Sequence, residues 1–212
     1  MTEHQDARHR QAPRAALDVP ALVARARAAA GPDGRLPVGS IAEWETFPFE
    51  RDGLRLRPVD APTLPEPPRD AENAAGCRTC ASPDDRYAWT DATWRLSARG
   101  PVSVPTLILG SRAHVDLGDL DDDMAAELGR MVVRVERALA AVPGIGRVHV
   151  QRWGDGNGHL HVFFFGRPDG MTQLRGLVMP MWAFHLPPIP EDEWEAIVAS
   201  VVASLDASAP AR

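Results

Sequence analysis

The sequence contains no lysine, and all 23 of its basic residues are arginine. Without a side-chain amine, the chain has no lysine nucleophile and no lysine to form a Schiff base. The basic residues are outnumbered by 29 acidic residues, which gives a net charge of −6. Such a chain lacks the overall positive field that duplex nucleic acid attracts. We therefore expect no duplex nucleic acid among its partners.

Long apolar segments are also missing. No uninterrupted apolar run approaches the ~18 residues that a membrane-spanning helix requires. The first 18 residues, MTEHQDARHRQAPRAALD, contain no apolar stretch of the kind that marks a secretory signal. We therefore expect a cytoplasmic protein that has no membrane partner.

Cysteine is scarce, and its two copies stand close together. Cys77 and Cys80 form a single Cys-Arg-Thr-Cys unit. In a cytoplasmic chain this spacing favours metal binding or redox chemistry over a structural disulfide. Two buried thiols without a chemical role are the remaining interpretation.

The composition divides the chain into three parts. Residues 1–17 are polar and charged, and they predict a disordered tail. Residues 18–76 predict a helix over 19–30, followed by a proline-rich extended arm in which only 54–59 resembles a strand. Disorder of this arm is the alternative. Residues 77–208 alternate apolar and polar positions in a way that predicts a folded domain.

Within 77–208, strand-like segments alternate with two helical ones. The long helix opens on three aspartates, which suit the positive end of a helix dipole. A Pro-Gly pair at 143–144 ends it. The pattern predicts an α+β fold with an antiparallel sheet. The predicted strands are 94–98, 104–109, 147–153 and 159–165, and the predicted helices are 121–142 and 191–205.

Two histidines precede a run of phenylalanines in the segment GDGNGHLHVFFF, residues 154–165. On a strand, alternate residues share a face, so His159 and His161 would point the same way. Phe163 would continue that face beyond them. Two hydrogen-bonded structural histidines at a sheet edge are one interpretation. A functional site is the other, since the amides of a glycine-rich turn can face an anion.

The order of these motifs resembles a known family. Cys77-X-X-Cys80, then His114-Val-Asp-Leu ahead of the long helix, then the Gly-His-Leu-His-Val segment at 158–162 resemble the histidine-triad superfamily. That superfamily includes nucleotide hydrolases and nucleotidyl transferases, among them the galactose-1-phosphate uridylyltransferases. The resemblance covers about residues 77–185. It implies an antiparallel sheet packed with one long and one C-terminal helix.

The resemblance also implies a metal. In zinc-containing members, the residues that correspond to Cys77, Cys80, His114 and His159 bind one structural zinc ion. The chemistry agrees, because two sulfur and two nitrogen ligands form a standard tetrahedral zinc site. A different register, with Asn157 as the first member of the triad, would leave the cysteines without a second histidine.

By the same resemblance, His161 is the nucleophile. It would attack the α-phosphorus of a nucleotide and form a covalent nucleotidyl-histidine. A neutral imidazole can do this near pH 7, and a hydrogen bond from its far nitrogen to a backbone carbonyl would leave the near nitrogen free to attack.

The third triad position departs from the family pattern. Phe163 stands where histidine or glutamine is expected, and phenylalanine cannot donate a hydrogen bond to phosphate. Loss of such a donor typically costs a factor of about 10²–10³ in rate. The alternatives are therefore a zinc-stapled module that binds a ligand or a protein without phosphoryl chemistry, and a fold repurposed for metal-dependent chemistry.

The predicted substrate is a nucleotide or another phosphate-bearing small molecule. Arginine binds phosphate through paired hydrogen bonds, and glutamine and asparagine offer amide donors. An ordinary surface arginine is the alternative at position 167. The resemblance also implies a homodimer. The predicted substrate contacts are Arg167, Gln151, Arg152, Asn157, Phe163 and Gln173.

Overall fold

The computed structural model describes most of the predicted domain and a small part of the segment before it. The described residues are 28, 30–35, 61–98, 100–172, 174–183 and 186–208. The predicted tail and strand-like segment 54–59 lie outside them, as does nearly all of the predicted helix 19–30.

A five-stranded antiparallel sheet organises the described chain, with the strand order β1-β2-β3-β5-β4. The central strands β3 and β5 therefore pair directly, although α2 and β4 lie between them in sequence. This arrangement confirms the predicted α+β class. The strands are β1 (Trp89–Thr90), β2 (Trp94–Ser97), β3 (Thr106–Ser111), β4 (Ile145–Gln151) and β5 (His161–Pro168).

Between residues 61 and 208, the described chain forms four α-helices: α1 (Arg78–Ala81), α2 (Asp122–Ala140), α3 (Met179–Ala183) and α4 (Glu191–Ala207). The long helix α2 begins where the aspartates predict. The Asp121 side chain caps it by accepting a hydrogen bond of 2.8 Å from the backbone of Met124. The helix ends four residues before Gly144, whose φ of 87° suits glycine.

One face of the sheet packs against α2 and α4 to form the main core. The alternation along the strands explains this, because every second residue of β3 and β5 points into that core. Each large apolar side chain buried there contributes about 1.5–3 kcal/mol relative to exposure. The buried residues include Leu96, Leu107, Leu109, Val162 and Phe164 from the sheet, and Leu128, Met131, Val135, Leu139, Val201 and Leu205 from the helices.

The opposite face of β5 carries three of the predicted site residues, His161, Phe163 and Arg167, and the start of this strand differs from the prediction. The strand begins at His161, so the prediction that it begins at His159 is wrong by two residues. The backbone amide of His159 donates to Asn157 Oδ1 at 3.0 Å, and that of Leu160 donates to the Val115 carbonyl at 2.7 Å. These bonds take the place of ladder bonds and turn His159 away from the strand direction.

The turn before β5 is fastened to the end of the proline-rich arm. The Gly158 amide donates to the carbonyl of Asp70 at 2.9 Å, and Asp70 forms a parallel bridge with Asn157. A Cβ atom at Gly158 would lie 2.8 Å from the Ala71 carbonyl oxygen and 2.9 Å from the Glu72 carboxylate. Only glycine allows this close approach.

Gly158→Ala is therefore expected to destabilise the fold. Overpacking of this kind costs about 1–3 kcal/mol, and each kcal/mol lowers the melting temperature of a chain this size by roughly 2–4 °C. Thermal unfolding followed by circular dichroism measures the change. Gly156→Ala is the matched control, because nothing lies within 4 Å of a Cβ at that position of the same turn. Equal melting temperatures for the two variants would contradict the prediction.

None of the helices within the described residues is both long and apolar enough to cross a bilayer.

Candidate metal centre and histidine cleft

Four potential metal ligands meet in one small cluster. The ligand atoms of Cys77, Cys80, His114 and His159 all lie within 4.8 Å of one another. They come from three separate parts of the chain, namely α1 and the residue before it, the loop after β3, and the turn before β5. The sequence prediction that these four residues form one site is confirmed.

The distances within the cluster fit a zinc ion. Nδ1 of His159 lies 3.4 Å from Cys77 Sγ and 3.5 Å from Cys80 Sγ, and Nδ1 of His114 lies 3.4 Å from Cys80 Sγ. A tetrahedral zinc bound to sulfur at ~2.3 Å and to nitrogen at ~2.0–2.1 Å places those atoms about 3.6 Å apart. Four protein ligands fill a tetrahedral site completely, which is the pattern of a structural zinc rather than a catalytic one.

His159 is oriented for metal binding by its other nitrogen. Its Nε2 donates to the backbone carbonyl of Ser111 at 2.8 Å, which leaves Nδ1 as the nitrogen that faces the sulfur atoms. Burial lowers the pKa of His159, and the neighbouring imidazoles of His114 and His161 lower it further against the opposing effect of the Ser111 bond. A neutral imidazole is the form that binds a metal.

The cysteines are held by a short helical turn. Cys77 is almost fully buried and caps α1, because its sulfur accepts a hydrogen bond from the backbone amide of Cys80 at 3.4 Å. Burial raises the pKa of Cys80, and the adjacent Cys77 raises it further. A thiolate in this position therefore needs a compensating cation, and a zinc ion supplies one.

His161 does not join the metal ligands. It is the first residue of β5, is partly buried, and donates from Nδ1 to the backbone carbonyl of His159 at 2.7 Å. This is the hydrogen bond that the sequence analysis expects of a nucleophilic histidine. Within the described residues, nothing hydrogen bonds to Nε2 of His161.

His161 lines a cavity of about 650 Å³, which we call the histidine cleft. Its floor is the face of β2, β3 and β5 opposite the main core, where Arg95, Gly110 and His161 lie side by side in the strand register. Its wall is the segment 78–87, which follows the first cysteine. A zinc ion bound to this cluster would hold both the wall of the cleft and the turn that leads to His161.

Aromatic rings continue the floor beyond His161. Phe163 meets His161 edge-on with ring centroids 5.3 Å apart, and it stacks on Phe165 at 5.9 Å with an interplanar angle of 9°. Trp153 lies across both phenylalanines, 5.2 Å from Phe163. The predicted aromatic continuation of the histidine face is present, and Phe163 stands where the sequence resemblance implies a polar residue.

Arg152, a predicted substrate contact, is engaged with Asp116. The guanidinium of Arg152 forms an ion pair with this carboxylate, which also accepts a 2.6 Å bond from Arg69. Burial alone would raise the pKa of Asp116, but the bonds from Arg69, the Leu117 backbone and Arg152 lower it to about 2. Asp116 is therefore ionised at neutral pH, and Arg152 holds the turn instead of facing the cleft.

Arg167 lies at the other end of β5. It stands six residues from His161, which is about 20 Å along a strand, and it pairs in register with Arg147. Its side chain donates to the Pro168 carbonyl at 3.2 Å. This separation keeps Arg167 away from a phosphate held at His161.

The remaining predicted contacts differ in their positions. Asn157 lines the histidine cleft and is also bonded to the His159 amide. Gln151 lies opposite Phe163 in the register of β4 and β5, on the same side of the sheet. Gln173 lies outside the described residues.

The sequence prediction contains none of the three arginines that line the histidine cleft. Arg78 and Arg86 line the wall of the histidine cleft, together with Arg95. The predicted basic contacts lie next to the histidine strand, whereas Arg78 and Arg86 belong to the segment after the first cysteine. The signal that marks Arg78 is its position between Cys77 and Cys80, whereas no comparable signal marks Arg86.

Solved structures similar to this chain carry the name that the sequence motifs suggest. A histidine triad protein from Bradyrhizobium japonicum is 20% identical, with a TM-score of 0.48 over 56% of this chain and 89% of that one. A Zn-bound histidine triad family protein from Mycobacterium smegmatis is 18% identical, with a TM-score of 0.46 over 65% of this chain and 100% of that one. The chain resembles the histidine-triad proteins.

A uridylyltransferase mutant is also similar, at 20% identity and a TM-score of 0.44, over 63% of this chain and 48% of that one. No protein-family model and no curated protein matches the chain.

Proposed function

We propose that this chain is a nucleotide-acting enzyme, a hydrolase or a nucleotidyl transferase, in which His161 is the nucleophile. The observation that carries the proposal is the 2.7 Å bond from His161 Nδ1 to the His159 carbonyl. This bond places the only ring proton of a neutral imidazole on Nδ1 and leaves a lone pair on Nε2. His161 also lines the histidine cleft, whose volume is large enough for a nucleotide.

The reaction would proceed in two displacements. Nε2 of His161 attacks the α-phosphorus, the N–P bond forms, and the bond from phosphorus to the leaving oxygen breaks as the leaving group takes the electron pair. Water or a second acceptor then attacks the same phosphorus, loses its proton, and releases His161 as the N–P bond breaks. Nδ1–H stays hydrogen-bonded to the His159 carbonyl throughout. This bond stabilises the positive charge that develops on the ring.

The zinc site would support this chemistry from outside the reaction. The ion would hold the His159 ring through Nδ1, while the carbonyl of the same residue orients His161. A structural zinc thus supplies rigidity, and the reacting groups stay separate from the metal. A positioned nucleophile gains rate because its geometry is set before the substrate arrives.

A binding module without phosphoryl transfer is the second candidate. Phe163 favours it, because this residue and the rings of Phe165 and Trp153 form an apolar surface beside His161. Such a surface packs well against a planar group. Under this candidate, ligands occupy the histidine cleft and leave unchanged.

A covalent adduct tests the proposal. The protein is incubated with nucleoside di- and triphosphates and nucleotide sugars, quenched without acid, and examined by intact-mass and peptide spectrometry. We expect the peptide that contains His161 to gain the mass of one nucleotidyl group, a nucleoside monophosphate less one water, and to lose it in acid as a phosphoramidate does. Nucleotide binding without any adduct across these compounds would refute the enzyme and favour the binding module.

A further inference from the structure

The wall of the histidine cleft carries two arginines whose charges are not neutralised. Arg78 and Arg86 both line the cleft and are exposed. Within the part of the chain that the structure describes, no side chain forms a hydrogen bond or an ion pair with either guanidinium. Their neighbour Arg95 is different, since it pairs with Asp84 at 3.0 Å and lies 5.0 Å from the Tyr87 ring.

The backbone under Arg78 is fixed even though its side chain is free. Arg78 stands directly after Cys77, and its helical turn contains Cys80. Both cysteines belong to the metal cluster, so a bound zinc ion would hold the residue from both sides. The Arg78 carbonyl also accepts a bond of 2.8 Å from the Ser82 hydroxyl. A rigid backbone lowers the entropy that an arginine loses when it binds a ligand.

Arg86 is fixed by a different device. It ends the short turn Asp84–Arg86, and Asp84 forms ion pairs with Arg95 and with Arg112, the latter at 2.6 Å. The hydrogen bond from Arg112, and then that from Arg95, lower the pKa of Asp84, so its carboxylate stays charged and the turn stays tied to the sheet. The negative charge of Asp84 is therefore compensated by Arg95 and Arg112 and does not neutralise Arg86.

The electrostatics of the cleft favour an anion. Three arginines line it, and among its described lining residues none is aspartate or glutamate. This is a local reversal of sign in a chain with a net charge of −6. Arginine binds phosphate through paired, charge-assisted hydrogen bonds.

We propose that Arg78 and Arg86 together bind the leaving phosphate of a phosphoanhydride substrate, such as a nucleoside diphosphate or its ester, whose α-phosphorus lies at His161. This inference rests on the proposed function. It names the substrate class, because the bond that breaks is the P–O bond of an anhydride. The leaving phosphate departs with the electron pair as an anion, and the two guanidinium groups compensate its charge.

This assignment also explains how the chain functions with Phe163 at the third triad position. An alkoxide or amide leaving group has a high pKa and needs a proton or a strong hydrogen bond as it departs. A phosphate leaving group is already a weak base and needs only charge compensation, which arginine provides. Phenylalanine at position 163 should therefore lower the reaction rate little for an anhydride substrate and much for a phosphoramidate or an alkyl ester.

Calorimetric titration with inorganic pyrophosphate tests the arginine pair. Bonds to charged partners of this kind are worth about a factor of ten or more in affinity. Arg78→Gln and Arg86→Gln are each expected to weaken pyrophosphate binding at least about tenfold, and Arg78→Lys to retain part of it. The matched control is Arg130→Gln on the exposed side of α2. Zinc content is measured before and after titration, so that extraction of the metal is recognised.

Titration with phosphate gives a second readout. Two arginines that grip one diphosphate predict tighter binding of pyrophosphate than of phosphate, and each glutamine variant should remove that preference. Unchanged pyrophosphate affinity in both variants would overturn the inference, even if a His161 adduct forms. If both variants lose pyrophosphate affinity and the wild-type protein forms no His161 adduct, the anion site is supported and nucleotidyl transfer is refuted.

Discussion

Cys77→Ser is expected to abolish stoichiometric zinc binding. The serine hydroxyl is a poor replacement for a thiolate, and Cys77 is buried against His159, so no other described ligand can take its place. Changes to residues that merely support zinc ligands cost about 10–100-fold in affinity, so loss of a ligand should cost more. The purified wild type should contain one zinc per chain, and the variant far less.

The loss of zinc should also loosen the fold around the cleft. The ion connects the cysteine segment to the loop after β3 and to the turn before β5, and structural zinc sites contribute about 10–16 kcal/mol of apparent binding free energy in finger peptides. If only about 3–5 kcal/mol of that free energy stabilises the native fold, the melting temperature falls by roughly 10 °C, at ~2–4 °C per kcal/mol. Ser82→Ala, in the same segment and outside the ligand set, is the control. A zinc content near one in Cys77→Ser would contradict the assignment.

His161→Ala is expected to remove turnover and leave the metal in place. Knocking out the nucleophile of a well-studied hydrolase costs about 10⁶ in kcat, and we expect a loss of at least about 10⁴ here, together with complete loss of the nucleotidyl adduct. Zinc content and melting temperature should stay near those of the wild type, because His161 lies outside the ligand cluster.

His149→Gln is the matched control for this variant. His149 lies opposite Phe165 on the same face of the sheet, far from the turn that carries His159. Its substitution should preserve the adduct. If His161→Ala retained adduct formation while His149→Gln lost it, the assignment of His161 as the nucleophile would be wrong and His149 on β4 would take its place.

The sequence was sufficient for the main helices and for the metal cluster. Helix α2 begins beside Asp121 as predicted, because the capping aspartate and the apolar stripe are both local signals. The metal cluster followed from two cysteines and two histidines whose order resembles the zinc-containing histidine-triad proteins. Pairing of β3 with β5, in contrast, joins segments about fifty residues apart, and no local pattern specifies its register.

Tertiary contacts explain the predictions that failed or shifted. His159 leaves the strand because its ring is held by Ser111 and its amide by Asn157, two bonds that sequence periodicity does not reveal. Arg152 was predicted to face a ligand, yet Asp116, thirty-six residues earlier, engages it. Only the fold shows which arginines form ion pairs with carboxylates, and therefore that Arg78 and Arg86 in the cleft do not pair with a described carboxylate.

Because the four ligands are widely spaced in sequence, the stability of this fold should depend on the zinc concentration around it. His114 follows Cys80 by 34 residues, and His159 follows Cys77 by 82. A ligand that binds only the native state adds RT ln(1 + [L]/Kd), about 2.7 kcal/mol at a hundredfold excess over Kd. Resistance to heat and to proteases should therefore vary with the free zinc concentration, and a chelator should act on this chain much as a reductant acts on a disulfide-linked one.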